Sequence, residues 1–408
     1  MGANSTMKIL VVCQYYFPEP FRITDICETL VQRGHQVTVL TGLPNYPEGR
    51  VLDEYRRGRR KIETLNNVKI MRSFEIGRGN SHLKLFLNYV SFAVSASLKA
   101  LFMKEEYDVV FVNQLSPVMM SFPAMVYKKK YNKKMLLLCL DLWPDSLASG
   151  GVRNGSIIYE VFLRISRWIY KSADLILVTS NMFKDYFQNT LGLPITNIEH
   201  LPQYAEDLFS KRVNPNEAGG NDSIEGYNFV FAGNIGDIQS VETIIMAAKE
   251  LDTHRNITFH IVGDGSKLEE CRKLAISFSL TNVIFHGRKS VIEMPYFYSM
   301  ANAMLITLKN NRVLSYTLPG KIQSYMAAGK PVLGAINGET SYVIKDANCG
   351  FCCEAEDYKE FAKIILQFCT SDNKEQMALN AQQYYINNYS KERFIARLEN
   401  ALISLEAF

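Results

Sequence analysis

The stretch LPGKIQSYMAAGKPVL, residues 318–333, decides how the second half of this chain folds. The apolar runs on either side of it predict buried strands, Pro319 and Gly320 open a helix between them, and a Lys-Pro pair ends that helix. A helix that starts at the carboxyl end of a strand directs free backbone N–H groups, and here the ammonium of Lys321, toward whatever binds there. This arrangement suits a phosphate or a diphosphate, although ordinary punctuation of a βαβ unit also explains it.

Strands and helices alternate along most of the chain, which has 408 residues. Short apolar runs such as 7–13 (MKILVVC) and 134–140 (KMLLLCL) predict strands buried on both faces, as in parallel sheets. Segments with helical spacing, such as 157–172, fill the gaps. A chain of this length exceeds what one hydrophobic core usually supports, so we expect two α/β domains. The segment Asn214–Gly226, rich in Gly, Asn and acids, predicts a linker near their boundary.

Composition narrows the classes of function. The chain has 8 Cys and 6 His without metal-ligand spacing, so we expect reduced thiols in a cytosolic protein and no zinc site. The net charge is +4, and basic clusters lie at 56–61 and 128–134. Solvated surface explains such runs, and attraction to anionic lipid head groups or a phosphorylated substrate is the alternative. Nucleic acid is not an expected partner, because no recognised fold or interleaving of aromatic and basic residues accompanies the clusters.

Four stretches of the second half follow one another in a characteristic order. They read FVFAGNIGDIQSVETII from 229, HIVGDGSKLEE from 260, IFHGRKSVIEMPYFYSMANAMLITL from 284, and then the opening stretch continued by GAINGETSYVI. Together they resemble the nucleotide-sugar half of a GT-B glycosyltransferase of family 4. In the first half, QYYFPEPFRITDICETLVQRGHQVTVLTGLPNYPEG and LCLDLWPDS resemble the acceptor half of bacterial polysaccharide enzymes. Within the family, the chain is most similar to the branch named as N-acetyl-L-fucosamine transferases.

This resemblance implies a fold of two Rossmann-like domains that face each other across a cleft, with the last helix crossing back to the first domain. We assign residues 1–205 to an acceptor-binding domain, 206–385 to a nucleotide-sugar-binding domain, and 386–408 to the crossing helix. The family transfers a sugar from a nucleotide donor with retention of anomeric configuration and needs no bound metal.

The function implied is a retaining glycosyltransferase that moves a sugar from a UDP-sugar to a saccharide linked to undecaprenyl diphosphate. The sugar expected is an N-acetylated amino or deoxyamino sugar, and the product is a capsule or O-antigen. We expect a cytoplasmic enzyme that works at the inner face of the cell membrane. Two alternatives stay open: a UDP-sugar epimerase of the same doubled fold, and a non-catalytic protein that binds sugar nucleotides.

In the donor half, glycine-rich turns after strands would let backbone amides approach a diphosphate. Many family members carry Arg and Lys at the positions of Asn234 and Gln239, and two glutamates at those of Tyr316 and Ser324. Because this chain lacks these charges, Lys321 is the first candidate to neutralise the diphosphate; a solvated helix position is the other explanation for it. The donor-binding candidates, with Arg288 as the second source of positive charge, are Gly233, Asn234, Gln239, Gly263, Arg288, Leu318, Pro319, Gly320, Lys321 and Ser324.

In the acceptor half, polar residues follow the predicted strands, where open α/β sheets place ligands. Glu19 and Arg22 are candidates for acceptor or phosphate contacts, and structural roles explain them equally well. Tyr46 is a candidate for stacking on an acceptor sugar. Asp141, at the end of an apolar strand, is preferred over Asp145 as an active-site carboxylate, since Asp145 also fits a helix cap.

The resemblance also implies a mechanism. In front-side displacement, the departing phosphate oxygen accepts the proton of the acceptor hydroxyl, so no in-line general base is needed. On this hypothesis the catalytic candidates are Asp141, Glu19 and Lys321. Asp141 or Glu19 would orient the acceptor or stabilise positive charge at the sugar ring.

The segment 82–104 predicts a helix that is unusually apolar, with charges only near its ends. Packing in a core explains this composition. The alternative is an interfacial helix that enters the inner leaflet beside the basic clusters. A lipid-linked acceptor would make such contact useful, so the membrane surface is an expected partner.

Overall fold

The computed structural model describes residues 6–210 and 226–406, so the predicted linker at 214–226 lies, except for Gly226, outside the described residues. The chain forms two compact units. The N-terminal unit runs to Leu201 and also takes up the chain from Ile395 onward, and the C-terminal unit is Pro202–Phe394. Each unit is built on its own sheet, as the alternation of strands and helices predicts.

Within residues 6–201, the strands form one eight-stranded sheet. They are β1 (Lys8–Val12), β2 (Gln36–Thr41), β3 (Ile62–Leu65), β4 (Val68–Arg72), β5 (Val109–Gln114), β6 (Lys134–Cys139), β7 (Leu175–Val178) and β8 (Ile198–His200). Their order across the sheet is β3-β4-β2-β1-β5-β6-β7-β8. The helices are α1 (Ile23–Gln32), α2 (His82–Phe102), α3 (Phe122–Tyr131), α4 (Ile157–Ser172) and α5 (Met182–Asn189).

The strand β3 departs from the parallel pattern expected from the sequence, because it pairs antiparallel with β4. The two-residue turn between them explains this difference. Asn66 and Asn67 both have positive φ, 49° and 63°. This conformation is that of a tight hairpin turn, and asparagine adopts it more readily than most residues.

Within residues 226–394, six parallel strands form a second sheet in the order β11-β10-β9-β12-β13-β14. They are β9 (Tyr227–Ala232), β10 (Ile257–Val262), β11 (Val283–Gly287), β12 (Ala303–Thr307), β13 (Val332–Ala335) and β14 (Gly350–Cys353). Two apolar clusters cover its two faces. The helices are α6 (Val241–Glu250), α7 (Leu268–Ser277), α8 (Met294–Met300), α9 (Arg312–Tyr316), α10 (Gly320–Ala327), α11 (Glu339–Asp346), α12 (Tyr358–Thr370) and α13 (Lys374–Tyr389).

The last helix, α14 (Lys391–Glu406), contributes its residues from Ile395 onward to the N-terminal unit. There Glu399 accepts from Arg33 Nη1 at 2.7 Å and lies 2.9 Å from His35 Nε2. These contacts join α14 to the turn between α1 and β2. Because Glu399 is buried, its carboxylate needs such partners, and these contacts supply them.

Each sheet has one point at which the chain reverses its direction of winding. In the N-terminal unit β1 lies between β2 and β5, and in the C-terminal unit β9 lies between β10 and β12. The loops at the carboxyl ends of these neighbouring strands diverge and leave a crevice, which is where open parallel sheets bind ligands. These two edges are therefore the expected ligand-binding places of the two units.

Candidate functional site

In the C-terminal unit, two glycine turns meet at the carboxyl ends of β9 and β10. The N–H of Gly233 donates to Val262 O at 2.9 Å, and that of Ile235 donates to Asp264 O at 2.8 Å. A Cβ on Gly263 would lie only 1.8 Å from Gly233 O. Gly263 therefore serves the close approach of the two turns.

Lys321 reaches this place from the first turn of α10. A Cβ on Gly233 would lie 2.8 Å from Lys321 Nζ, so only glycine leaves room for the ammonium. The ammonium lies over the ring of Phe231, 3.9 Å from its centroid. Within the described part of the chain it makes no hydrogen bond or ion pair, and burial lowers its pKa to about 7. An unpaired cation at this position is a ready partner for an anion.

The start of α10 adds backbone donors to the same place. Pro319 is the N-cap residue, with extended backbone (φ −60°, ψ 137°), and no side chain caps the helix. Leu318 is buried just before it. Gly320 and Lys321 thus open a helix whose first N–H groups are available at the switch point of the sheet.

The other donor-binding candidates have local partners. Gln239 Oε1 accepts from Asn234 Nδ2 at 3.3 Å and from Gly236 N at 3.2 Å, so Gln239 supports the β9 turn. Ser324 Oγ donates to Gly320 O at 3.3 Å within α10. Arg288 is exposed and follows β11, the edge strand two positions from β9. It therefore follows a strand that lies about 10 Å from β9 across the sheet.

Sequence reasoning missed an ion-pair network at this edge. Asp237, after the β9 turn, accepts from Lys309 Nζ at 2.8 Å and lies 3.9 Å from Lys267 Nζ. Lys309 follows β12, the strand beside β9. The only signal in the sequence was a lysine directly after a buried strand. The network holds the turns that flank Lys321.

In the N-terminal unit, Glu19 joins the loops after β1 and β2. Its Oε1 accepts from Asn45 N at 2.9 Å and Tyr46 N at 2.7 Å, and its Oε2 accepts from Tyr16 N at 3.2 Å. Burial raises the pKa of Glu19 to about 7, against these hydrogen bonds. The carboxyl group therefore fixes loop geometry at the predicted acceptor site.

Asp141 lies where β6 ends. Ser116 Oγ donates to its Oδ2 at 2.9 Å, and Trp143 Nε1 donates to Ser116 Oγ at 2.9 Å. Burial raises the pKa of Asp141. Its charge also reaches Tyr89 of α2, whose pKa is raised chiefly by burial and further by Asp141. A carboxylate held by a hydroxyl at a strand end can orient a substrate hydroxyl or face positive charge.

The remaining acceptor candidates separate into surface and interior positions. Tyr46 is 38% exposed, and Phe21 (5.3 Å between centroids) and the Arg78 guanidinium (5.5 Å) adjoin its ring. Arg22 precedes α1 and is partly exposed. Asp145, by contrast, is buried and accepts from Tyr159 OH at 2.8 Å. Tyr46 is placed to stack on a ligand, whereas Asp145 anchors α4.

A second buried acid, Glu75, was not predicted. Its Oε1 accepts from Gln14 Nε2 at 2.7 Å, Asn88 Nδ2 at 2.5 Å and Asn45 Nδ2 at 3.3 Å. Burial raises its pKa to about 8. This network ties the ends of β1, β2 and β4 to α2. An asparagine within the apolar helix 82–104 was the available signal.

Among residues 6–210 and 226–406, no three His, Cys, Asp or Glu side chains are grouped as metal ligands would be.

Comparisons with known proteins show which families the two halves of the chain match. Residues 22–203 match the family model "Glycosyltransferase Family 4", and residues 221–385 match "Glycosyl transferases group 1". A Pseudomonas aeruginosa protein named as a glycosyltransferase, WbjE, is 26% identical over 68% of this chain and 71% of its own length. The Escherichia coli K12 protein WcaI, named as a colanic acid biosynthesis glycosyl transferase, is 25% identical over 79% of this chain and 82% of its own.

Solved structures share the fold at lower identity. The Anabaena protein HepE, solved in complex with UDP-glucose, is 16% identical, covers 98% of this chain and 100% of its own, and has a TM-score of 0.71. This likeness shows a GT-B fold with two Rossmann-like domains, as the sequence predicted.

Proposed function

We propose that this chain, a glycosyltransferase of GT-B fold with a family 4 domain and a group 1 domain, moves a sugar from a UDP-sugar to a lipid-linked saccharide with retention of configuration. The acceptor we propose is a saccharide on undecaprenyl diphosphate. The enzyme would act in the cytoplasm, at the inner face of the membrane, in the synthesis of a surface polysaccharide such as capsule or O-antigen.

The observation that carries this proposal is the unpaired ammonium of Lys321 at the β9–β12 switch point. Its surroundings are glycine backbone, the ring of Phe231 and the uncapped start of α10. A diphosphate would supply the negative charge that this place lacks, and binding it would raise the pKa of Lys321 from about 7. HepE, which shares this fold, has been solved with UDP-glucose.

The chemistry follows from where charge develops. As the bond between the anomeric carbon and the diphosphate oxygen breaks, negative charge grows on the leaving group, and Lys321 with the first amides of α10 stabilises it. The acceptor oxygen bonds to the anomeric carbon on the same face, and the departing diphosphate oxygen takes the proton of that hydroxyl. In the N-terminal unit, Asp141 is proposed to hold that hydroxyl, and Glu19 positions the loops around it.

The donor sugar we propose is an N-acetylated amino or deoxyamino sugar, of the type of N-acetyl-L-fucosamine. The support is the resemblance of the whole chain to that branch and the similarity to WcaI, which is named for colanic acid biosynthesis. Tyr316 and Ser324, in place of the glutamates of many family members, set this donor site apart.

Calorimetric titration of UDP and of a panel of UDP-sugars tests the donor class. We expect UDP binding by the wild type and by Lys345→Gln, whose lysine is exposed, and a large loss in Lys321→Met. Transfer is then measured with labelled donors and short polyprenyl diphosphate saccharides, and NMR of the product gives the anomeric configuration. Turnover of the donor without any acceptor would instead support an epimerase, and absence of UDP binding would refute the donor site.

A further inference from the structure

A groove in the N-terminal unit lies beside the acceptor candidates and is not used by the mechanism above. It encloses about 750 Å³ between the segment 49–61 and the segment 72–87. This volume is within the range of small-molecule pockets. The backbone fixes its walls, since Gly79 N donates to Gly49 O at 2.6 Å.

One side of the groove is strongly basic. Arg50, Arg57, Lys61 and Lys84 line it, and none of them forms an ion pair with another residue of the described chain. Burial lowers the pKa of the neighbouring Lys99, and the positive charge of Lys61 lowers it further. Four uncompensated cations around one cavity create a positive potential that favours an anion of more than one charge.

The other side of the groove is apolar. Phe74, Ile76 and Leu87 line it and are exposed, with Phe74 at 65%. A contiguous patch of exposed apolar side chains usually marks a surface that binds a ligand, a partner or a membrane. A simple inorganic anion would use the basic side and leave this wall in water.

The apolar wall continues along α2. Its inner face packs in the core through Phe92, Ala96 and Ala100. The outer face carries an apolar stripe that is 40% to 68% exposed and consists of Leu83, Leu87, Val94, Leu98 and Leu101. This stripe is about 27 Å long at 1.5 Å per residue. By length and composition α2 could also cross a membrane, but its packed face makes it part of this unit.

We infer that this groove binds the diphosphate of a polyprenyl-linked substrate, with the first isoprenoid units against Phe74 and Leu87 and the chain leaving along the α2 stripe. The inference rests on the proposed function, because it places the lipid end of the proposed acceptor. A diphosphate matches the multiple cations, and an apolar chain attached directly to it matches the wall and the stripe.

Farnesyl diphosphate, a soluble lipid diphosphate, is the probe, and its binding to the full chain is measured by calorimetry. Inorganic diphosphate and farnesol represent the head and the tail. We expect each to bind at least about tenfold more weakly than farnesyl diphosphate, because each uses one side of the groove. Equal binding of either would overturn the inference.

Variants locate the site. Arg57→Gln with Lys61→Gln should weaken farnesyl diphosphate by about tenfold or more, since charge-assisted contacts are lost. The matched control is Lys129→Gln with Lys133→Gln, which removes the same charge from the other basic cluster and should change nothing. Leu87→Ser should weaken farnesyl diphosphate but not inorganic diphosphate. Wild-type affinity in the first double variant would place the ligand elsewhere.

Two further measurements separate the alternatives. Phosphatidylglycerol vesicles that displace farnesyl diphosphate would assign the groove to bilayer phospholipid and contradict the inference. UDP binding is measured on the same proteins. If the wild type binds farnesyl diphosphate but not UDP, the result counts against the proposed function alone. If it binds UDP but not farnesyl diphosphate, the result counts against the groove alone.

Discussion

In the C-terminal unit burial lowers the pKa of Lys321 to about 7, whereas in the N-terminal unit it raises the pKa of Glu19 to about 7 and of Glu75 to about 8. Burial thus moves the pKa values of groups of opposite charge close to neutral pH. Their partners differ, however. Lys321 has none among the described residues, while backbone N–H groups donate to both oxygens of Glu19 and side-chain amides donate to Oε1 of Glu75.

This difference separates ligand contact from positioning. A partly buried cation without a partner gains most from a bound anion, so Lys321 should act on affinity. A buried acid that already accepts several hydrogen bonds fixes the backbone around it, so Glu19 and Glu75 should act on stability and shape. Asp141 stands between these cases, since one hydroxyl holds it at the end of β6.

The largest effect is expected for Asp141→Asn. The amide keeps the shape and can accept from Ser116, but it loses the charge proposed to act on the acceptor. We expect kcat to fall by about 100- to 1,000-fold with UDP affinity unchanged, measured by transfer assay and calorimetry. Asp145→Asn is the control: it alters the contact with Tyr159 and should affect stability more than kcat. Wild-type turnover in Asp141→Asn would remove Asp141 from the mechanism.

Lys321→Met should weaken UDP binding by about 10- to 100-fold, the range for a lost hydrogen bond to a charged group. It should also raise the melting temperature of the free protein, because an uncompensated and largely desolvated cation is removed. Lys330→Met is the comparison. That lysine is also partly buried, with its pKa lowered to about 8, but it donates to Ser299 O at 3.0 Å and Ala301 O at 2.8 Å.

Lys330→Met should therefore destabilise the protein and leave UDP affinity unchanged. Opposite signs in the two melting temperatures would support the distinction between an unpaired and a paired lysine. If both variants lose stability and keep UDP affinity, Lys321 is a structural residue.

Glu75 tests the other half of the comparison. Its pKa rises from the ordinary 4.5 to about 8 in the folded protein, so the folded state holds a proton that the unfolded state releases. The resulting stability is present below pH 4.5 and is lost as pH rises through about 8. Near pH 6 the contribution changes by about 1.4 kcal/mol per pH unit.

Glu75→Gln should flatten this slope in thermal unfolding measured from pH 5 to pH 9, although Glu19 will keep part of it. The amide preserves the size of the side chain and cannot titrate. An unchanged slope would mean that Glu75 is not protonated in the folded protein at neutral pH.

Local patterns in the sequence predict much of this fold. The helix predicted at 157–172 has the bounds observed, and the strands predicted at 7–13 and 134–140 are observed at Lys8–Val12 and Lys134–Cys139, because burial periodicity and caps are local. The antiparallel strand β3 was not predicted, although Asn66-Asn67 is typical of a tight turn. The basic residues directly before β3 make its sequence look like exposed surface rather than a strand. Lys321 and Glu19 could be predicted because strand ends mark the ligand edge of a parallel sheet.

The remainder of the site depends on contacts between distant positions. Lys309 and Asp237 are 72 residues apart, and Glu75 meets Gln14 across 61. No spacing rule connects such pairs, because folding alone brings them together. The same is true of the groove, because Arg50, Arg57 and Lys61 come from the segment 49–61 and the apolar residues come from the segment 72–87.

The smallest effect concerns the pH dependence of UDP binding. Since burial lowers the pKa of Lys321 to about 7, the free protein loses this positive charge as pH rises above 7, and the anion then meets a neutral amine. UDP affinity should therefore fall by about fivefold between pH 7 and pH 8, if binding requires the protonated form. Calorimetry at both pH values in buffers of different ionisation enthalpy should also detect proton uptake on binding. The sharpest control is Lys321→Arg, because the guanidinium of the arginine stays protonated throughout this range.

The UDP affinity of this variant should be independent of pH from 7 to 8, without proton uptake. An equal fall in both proteins would assign the titration to another group, and Lys321 would then be charged throughout.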